Sequence, residues 1–318
     1  MLSTPVLLIV YNRPDATALV FDAIRQAQPR QLFIAADGPR DGVPNDRARS
    51  NNVRKIVSNV DWECEEMTLF HGVNLGCRLG PATAITWFFE NVEQGIILED
   101  DCLPSQSFFR YCEELLNYFK DDKRIFSING SSLGYSSNES SYTYSMFMNM
   151  WGWATWKRVA RQIDYDLQYW DKMKFKKLWL YRKLNASNYL DVDFNWIRYW
   201  EARIHWLLDG FETWDYQWVF HQLKYNMLSV VPSKNLITNI GFGDDATHTF
   251  DPKNPVAGLK AEEMDFPLVH PDSVINNTYY LNNYIKKKWC SYCKVTTINV
   301  IKRKLLKLLP EWSVKCLH

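Results

Sequence analysis

The sequence has little net charge, with 37 basic side chains against 36 acidic ones in 318 residues. Aromatics make up 15% and hydrophobic residues 47%, so a chain this close to neutral has no reason to stay unfolded. Glycine and proline are scarce, at 13 each, which excludes collagen-like and linker-dominated chains. No unit recurs with a period of ~20–50 residues, which excludes solenoids and propellers. No apolar run reaches the ~18 residues of a membrane span. The short apolar run at Val6 passes at once into a helical pattern, unlike a secretory leader. Seven scattered cysteines, an odd number, read as reduced thiols of a cytoplasmic protein. The sequons at Asn129, Asn138, Asn185 and Asn276 are then chance matches. Cys290-Ser-Tyr-Cys293 is a lone C-x-x-C with no second pair to complete a zinc site.

The charge that is present is unevenly spread. From Leu281 onward nine basic residues meet one acid, which leaves 28 basic against 35 acidic residues in the body. An acidic body excludes general nucleic-acid binding, which needs a basic face. The tail interleaves Ile298, Ile301, Leu305 and Leu308 with Lys302, Arg303, Lys304 and Lys307. Such a helix suits either an anionic membrane surface or the flank of the main domain.

Strand and helix signals alternate through the first third. Apolar runs at Val6–Val10, Leu32–Ala36, Met67–Phe70, Gly95–Leu98 and Ile125–Ile128 read as strands buried in a parallel sheet. Helical spacing follows Pro14, continues through Arg54 and Val57, and returns from about Pro81 to Asn91 and over Phe108–Phe119. Ligands of such sheets bind beyond the carboxyl ends of the strands. Asn12, Asp37, Asn74 and the triplet Glu99-Asp100-Asp101 all fall at such ends. Ten of the fourteen tryptophans lie between Trp151 and Trp218. They suit a helical core as well as an aromatic cleft for sugar rings.

Three adjacent carboxylates ending an apolar strand repel one another and resist desolvation, so a compensating cation is expected. Oxygen ligands on an open site suit Mn²⁺ or Mg²⁺. The ordered set Pro5-Val-Leu-Leu-Ile-Val-Tyr-Asn-Arg-Pro14, Ala36-Asp-Gly-Pro39, Asn74-Leu-Gly-Cys-Arg78, Gly95-Ile-Ile-Leu-Glu-Asp-Asp101, Trp151-Gly-Trp-Ala-Thr-Trp156, Asn239-Ile-Gly-Phe-Gly243 and Ala246-Thr-His-Thr249 resembles the GT-A nucleotide-sugar glycosyltransferases. The likeness is to bacterial family 2 members and the N-acetylglucosaminyltransferase I branch. The triplet here is Glu-Asp-Asp where most of the class has Asp-x-Asp.

The resemblance implies an α/β fold, a GT-A-like (Rossmann-like) mostly parallel sheet flanked by helices, with a helical C-terminal extension. The glycosyltransferase domain would span 1–258, with a nucleotide-sugar half over 1–130 and an acceptor half over 131–258. A basic extension would follow over 259–318. It also implies an inverting, metal-dependent hexosyltransferase that moves sugar from a UDP-sugar to a glycan or lipid-linked acceptor of the cell surface. By position, Tyr11 and Arg13 would border the base and ribose, and Asp37 would hydrogen-bond uracil or ribose. Arg78 would approach the base or diphosphate, Glu99 the ribose and Asp100 the donor sugar, while Asp101 would bind the metal. His248 would be a further metal or diphosphate ligand, with Asp244 and Asp245 weaker neighbours.

Asp215, in Thr213-Trp-Asp-Tyr-Gln-Trp218, is the candidate base, and a helix N-cap is its alternative role. Two rival functions are a nucleotidyltransferase that makes nucleotide-sugars and a non-catalytic membrane-binding protein on the same fold. Tyr11-Asn-Arg-Pro14 lacks the glycine-rich loop of the first, and the carboxylates at Asp101 and Asp215 speak against the second. The expected location is cytoplasmic, at the inner face of the plasma membrane through the basic tail.

Overall fold

The computed structural model describes residues 1–185, 194–242, 256 and 258–285. Its first half is a regular alternation: β1 (Val6–Val10), α1 (Pro14–Ala27), β2 (Gln31–Ala36), α2 (Asp46–Val57), β3 (Glu65–Phe70), α3 (Gly76–Asn91), β4 (Gln94–Glu99), β5 (Cys102–Pro104), α4 (Gln106–Tyr118) and β6 (Ile125–Asn129). The second half holds β7 (Tyr142–Ser145), β8 (Trp153–Trp156), α5 (Lys157–Ala160), α6 (Gln168–Asp171), α7 (Lys176–Asn185), α8 (Phe194–Leu208), α9 (Asp215–Tyr225), β9 (Leu228–Pro232) and β10 (Ile237–Asn239). A helical turn, Thr278–Tyr280, and a π-helical turn, Leu281–Ile285, end the described chain.

Eight strands form one sheet in the order β3-β2-β1-β4-β8-β6-β9-β7. All but β7 and β8 run one way, so the sheet is mostly parallel and helix-flanked, as expected. Val6, Leu7 and Leu8 are fully buried in its centre. Burying each such side chain stabilises the fold by about 1.5–3 kcal/mol. The antiparallel β8 is the tryptophan-rich segment, inserted between β4 and β6. Helix α3 begins at Gly76, earlier than the expected Pro81, which lies inside it.

Most of the tryptophans belong to the core, which corrects the aromatic-cleft alternative for them. Trp153, Trp170, Trp200 and Trp218 are completely buried, and Trp153 packs edge-to-face on Trp218 at 4.8 Å. Trp151 differs. It is half-buried, meets Phe242 edge-on at 5.8 Å, and stands on the strand-end side of the sheet.

From Gly258 to Asn277 the chain forms a strap rather than a helix. Ala261 N–H donates to Thr238 Oγ1 at 2.7 Å, and Glu263 accepts from the N–H groups of Gln106 and Ser107 at the start of α4. Val269 pairs with Ser141, and Asn277 N–H donates to Tyr144 O beside β7. This part of the extension is therefore bound to the main domain. The basic residues from Lys286 onward lie outside the described residues.

Candidate active site

Parallel β1, β2 and β4 end at one edge, and their following residues meet there. Glu99 closes β4, with Asp100 and Asp101 in the turn before β5. Arg13, just ahead of α1, donates from Nη1 to Asp101 Oδ2 at 2.7 Å and lies 3.6 Å from Asp100 Oδ1. Tyr11 N–H donates to Asp100 Oδ2 at 3.3 Å. The 3-residue β10 runs antiparallel to β5, pairing Asn239 with Cys102, and Ile240 N–H donates to Asp101 O at 2.8 Å. That pairing delivers Gly241 against the acidic turn.

Helix α9 supplies the fourth carboxylate. Its first residue, Asp215, accepts on Oδ1 from the Thr213 hydroxyl and, at 2.9 Å, from Tyr216 N–H. Its charge reaches Glu99. An N-cap would accept from a donor two or three residues further on, and the capping position of α9 is Trp214, with no side-chain cap. Among the described residues nothing donates to Asp215 Oδ2.

Electrostatics follow from four carboxyl groups meeting one guanidinium. Burial first, then the charges of Asp101, Asp100 and Asp215, push the Glu99 carboxyl well above its usual range. Burial pushes Asp100 to about 6, against the pull of Arg13. Burial alone would lower the Arg13 guanidinium, but Asp100 and Asp101 hold it up. Among the described residues the cluster is short of positive charge.

The implied Mn²⁺ or Mg²⁺ can be tested on this geometry. A Cβ on residue 241 would lie 2.2 Å from Asp101 Oδ2, so only glycine lets the Asp101 carboxylate lie this close to the backbone. By their chemistry, hard carboxylate oxygens suit a divalent ion that completes its shell with phosphate and water. Among the described residues no three ligating side chains close around a point. The donor chemistry fits only an ion held by few protein groups among the described residues. His248, Asp244 and Asp245 lie outside the described residues.

Two expected roles change. Asp37 accepts from Gly38 N–H (2.7 Å), Leu75 N–H (2.8 Å), Gly76 N–H (3.0 Å) and Asn74 Nδ2 (3.0 Å). Four donors fill its roughly four lone-pair sites. It fixes the loop into α3 and has no acceptor capacity left for uracil or ribose. Arg78 turns to Asp166, 2.8 Å away, and to Tyr165 O rather than into the cleft. An exposed pair of this kind contributes about 0–1 kcal/mol, little enough for a diphosphate to displace.

The sequence reading missed Asp46. This buried carboxylate in the first turn of α2 accepts from the Tyr11 hydroxyl, Asn12 Nδ2 (2.6 Å), Arg40 N–H (2.7 Å) and Arg40 Nη2 (3.0 Å). Burial would raise it, but the bonds from Arg40, Tyr11 and Asn12 prevail and hold it well below the usual carboxylate range. Asp46, Ser50, Val53 and Val57 are the buried residues of a polar helix, and that helical spacing was the available signal. A cavity of about 640 Å³ lined by Tyr118, Arg124, Tyr144 and Ile275 lies beside the end of α4 and holds none of these residues.

No protein-family model and no curated protein matches this chain. Similar solved structures include mouse xyloside xylosyltransferase 1, at 10% identity and a TM-score of 0.36, covering 72% of this chain and 84% of that one. HddC from Yersinia pseudotuberculosis aligns at 7% identity and a TM-score of 0.32, over 54% of this chain and 87% of its own. The 4-diphosphocytidyl-2C-methyl-D-erythritol synthase of Anaerococcus prevotii aligns at 8% and 0.30, over 70% and 99%. Likenesses this distant assign neither substrate nor reaction. No helix among the described residues is long and apolar enough to cross a membrane.

Proposed function

We propose that this chain is an inverting glycosyltransferase of the GT-A type, moving a sugar from a UDP-sugar to a cell-surface glycan or lipid-linked precursor. One observation carries the reading. The carboxylate of Asp215, first residue of α9, lies close enough to Glu99 for its charge to act there, where Arg13, Glu99, Asp100 and Asp101 gather at the carboxyl edge of a parallel sheet.

In this reading Asp215 Oδ1 is anchored by Thr213 and Tyr216, leaving Oδ2 to take the proton of the acceptor hydroxyl. Transfer in one displacement inverts the anomeric carbon. Arg13 faces the diphosphate as it gathers charge on leaving, and Asp100 holds the Tyr11 backbone beside the donor. Asp101, with His248, would hold Mn²⁺ or Mg²⁺, which when bound supplies Lewis-acid stabilisation of the departing diphosphate. The basic tail from Lys286 would contact anionic lipid at the inner face of the plasma membrane.

The test is product analysis with UDP-, GDP-, CDP- and dTDP-sugars, with and without candidate acceptors, in Mn²⁺ and in EDTA. Acceptor-stimulated UDP release that EDTA abolishes is expected. Pyrophosphate release from a nucleoside triphosphate and a sugar phosphate would identify a nucleotidyltransferase instead. Full transfer in EDTA would remove the metal from the proposal.

A further inference from the structure

We propose that Asp46 is a positioning residue which locks the Tyr11 ring and the Arg40 guanidinium into one rigid wall for the base of a bound nucleotide. The role rests on reading the cleft as a nucleotide-sugar site. It concerns a residue of α2, outside the acidic cluster itself.

The Asp46 side chain is only 1% exposed, and its four donors come from two separate turns. Tyr11 and Asn12 follow β1, whereas Arg40 follows β2. One carboxylate on α2 thus ties three segments together at the strand ends. Four donors match its roughly four lone-pair sites, so the node is saturated and has no capacity to bind ligand itself. Its effect on a ligand must pass through the residues it holds.

Tyr11 is held at both ends. Its N–H goes to Asp100 Oδ2 at 3.3 Å and its hydroxyl to Asp46, while the Arg40 guanidinium lies 5.6 Å from the ring centroid. The half-buried ring therefore cannot swing out of the cleft without breaking a bond to a buried carboxylate. The guanidinium lies over one face of the ring, and a ring fixed in this way suits a planar nucleobase, because part of the stacking energy is lost when the platform must first be ordered. Arg49 adds to the same wall by donating from Nε to Asn12 O at 2.8 Å.

The experiment is calorimetric titration of UDP with Mn²⁺ into the full-length protein, Asp46→Asn, Tyr11→Phe and the double variant, with melting curves for each. Tyr11→Phe keeps the ring and removes only the tether, so it stays interpretable if Asp46→Asn folds poorly. Each single variant is expected to raise Kd about fivefold to tenfold, as the cost of ordering one loosened side chain on binding implies. Because both act through one tether, the double variant should bind no more weakly than Asp46→Asn alone. Once the donor sugar is known, KM should rise in the same proportion while kcat holds. Multiplicative effects in the double variant, or unchanged UDP affinity in folded single variants, would overturn the role while leaving the site reading intact. Failure of the wild type to bind UDP, GDP, CDP or dTDP would overturn the site reading, and this role with it.

Discussion

Replacing Gly241 by alanine inserts one methyl group at the point where β10 meets the acidic turn. The new Cβ would stand 2.2 Å from Asp101 Oδ2 and 2.8 Å from Asp101 Cγ, where real Cβ atoms are essentially never closer than 3.0 Å. Backbone retreat is opposed by the pairing of Asn239 with Cys102 and by Ile240 N–H on Asp101 O at 2.8 Å. The carboxylate must therefore yield, by about 1 Å, to regain ordinary van der Waals distance. That movement pulls Oδ2 off Arg13, now 2.7 Å away. A misplacement of about 1 Å costs on the order of 10² in rate, or about 2.7 kcal/mol of transition-state stabilisation. The strain on the fold itself should be about 1–3 kcal/mol, visible as a melting temperature lower by several degrees. Steady-state kcat/KM for UDP release, with melting curves as the control for folding, measures both. Gly72→Ala, where a Cβ meets nothing within 4 Å, should leave both unchanged. A folded Gly241→Ala protein with kcat/KM within threefold of wild type would show that Asp101 does not need its present position.

Asp215→Asn should keep the fold and donor affinity but lower kcat by about 10²–10⁴, and near-normal turnover would move the base to another acceptor-side group. Burial pushes the Asp100 carboxyl up to about 6 in the folded protein, against about 3.9 unfolded. A raised carboxyl contributes stability that is present below the unfolded value and lost as pH climbs through the folded one. Urea denaturation in EDTA should therefore find the protein about 1–2 kcal/mol more stable at pH 5 than at pH 7.5 from this group, and Asp100→Asn should flatten that slope. Glu99, also raised, adds in the same direction, whereas Asp46, held low, is ionised across this range and does not enter the difference. A chain ending after Ile285 should lose salt-sensitive binding to anionic vesicles, and equal binding by both chains would exclude the tail as the contact.

The sequence by itself determined the alternating α/β architecture, because buried parallel strands must be apolar on both faces. Val6–Val10 and Gly95–Leu98 are legible on that ground alone, as is the acidic triplet at a strand end. It left the tryptophans undecided, since periodicity records that a side chain is apolar and not which surface it meets. Packing decided that Trp153, Trp200 and Trp218 are core while Trp151 remains half-buried. The role of Asp37 was hidden for a related reason. Position after a strand placed it correctly, but only the folded loop shows that Gly38, Asn74, Leu75 and Gly76 consume its oxygens. Contacts between residues distant in sequence were decided by tertiary structure alone. Arg13 reaches Asp101 across 88 positions, and Tyr11 reaches Asp46 across 35. Such pairs leave no periodic trace, because their geometry is set by strand order and by β10 returning beside β5. A buried carboxylate is expensive unless donors meet it, and the chain shows where those donors are only when it is folded.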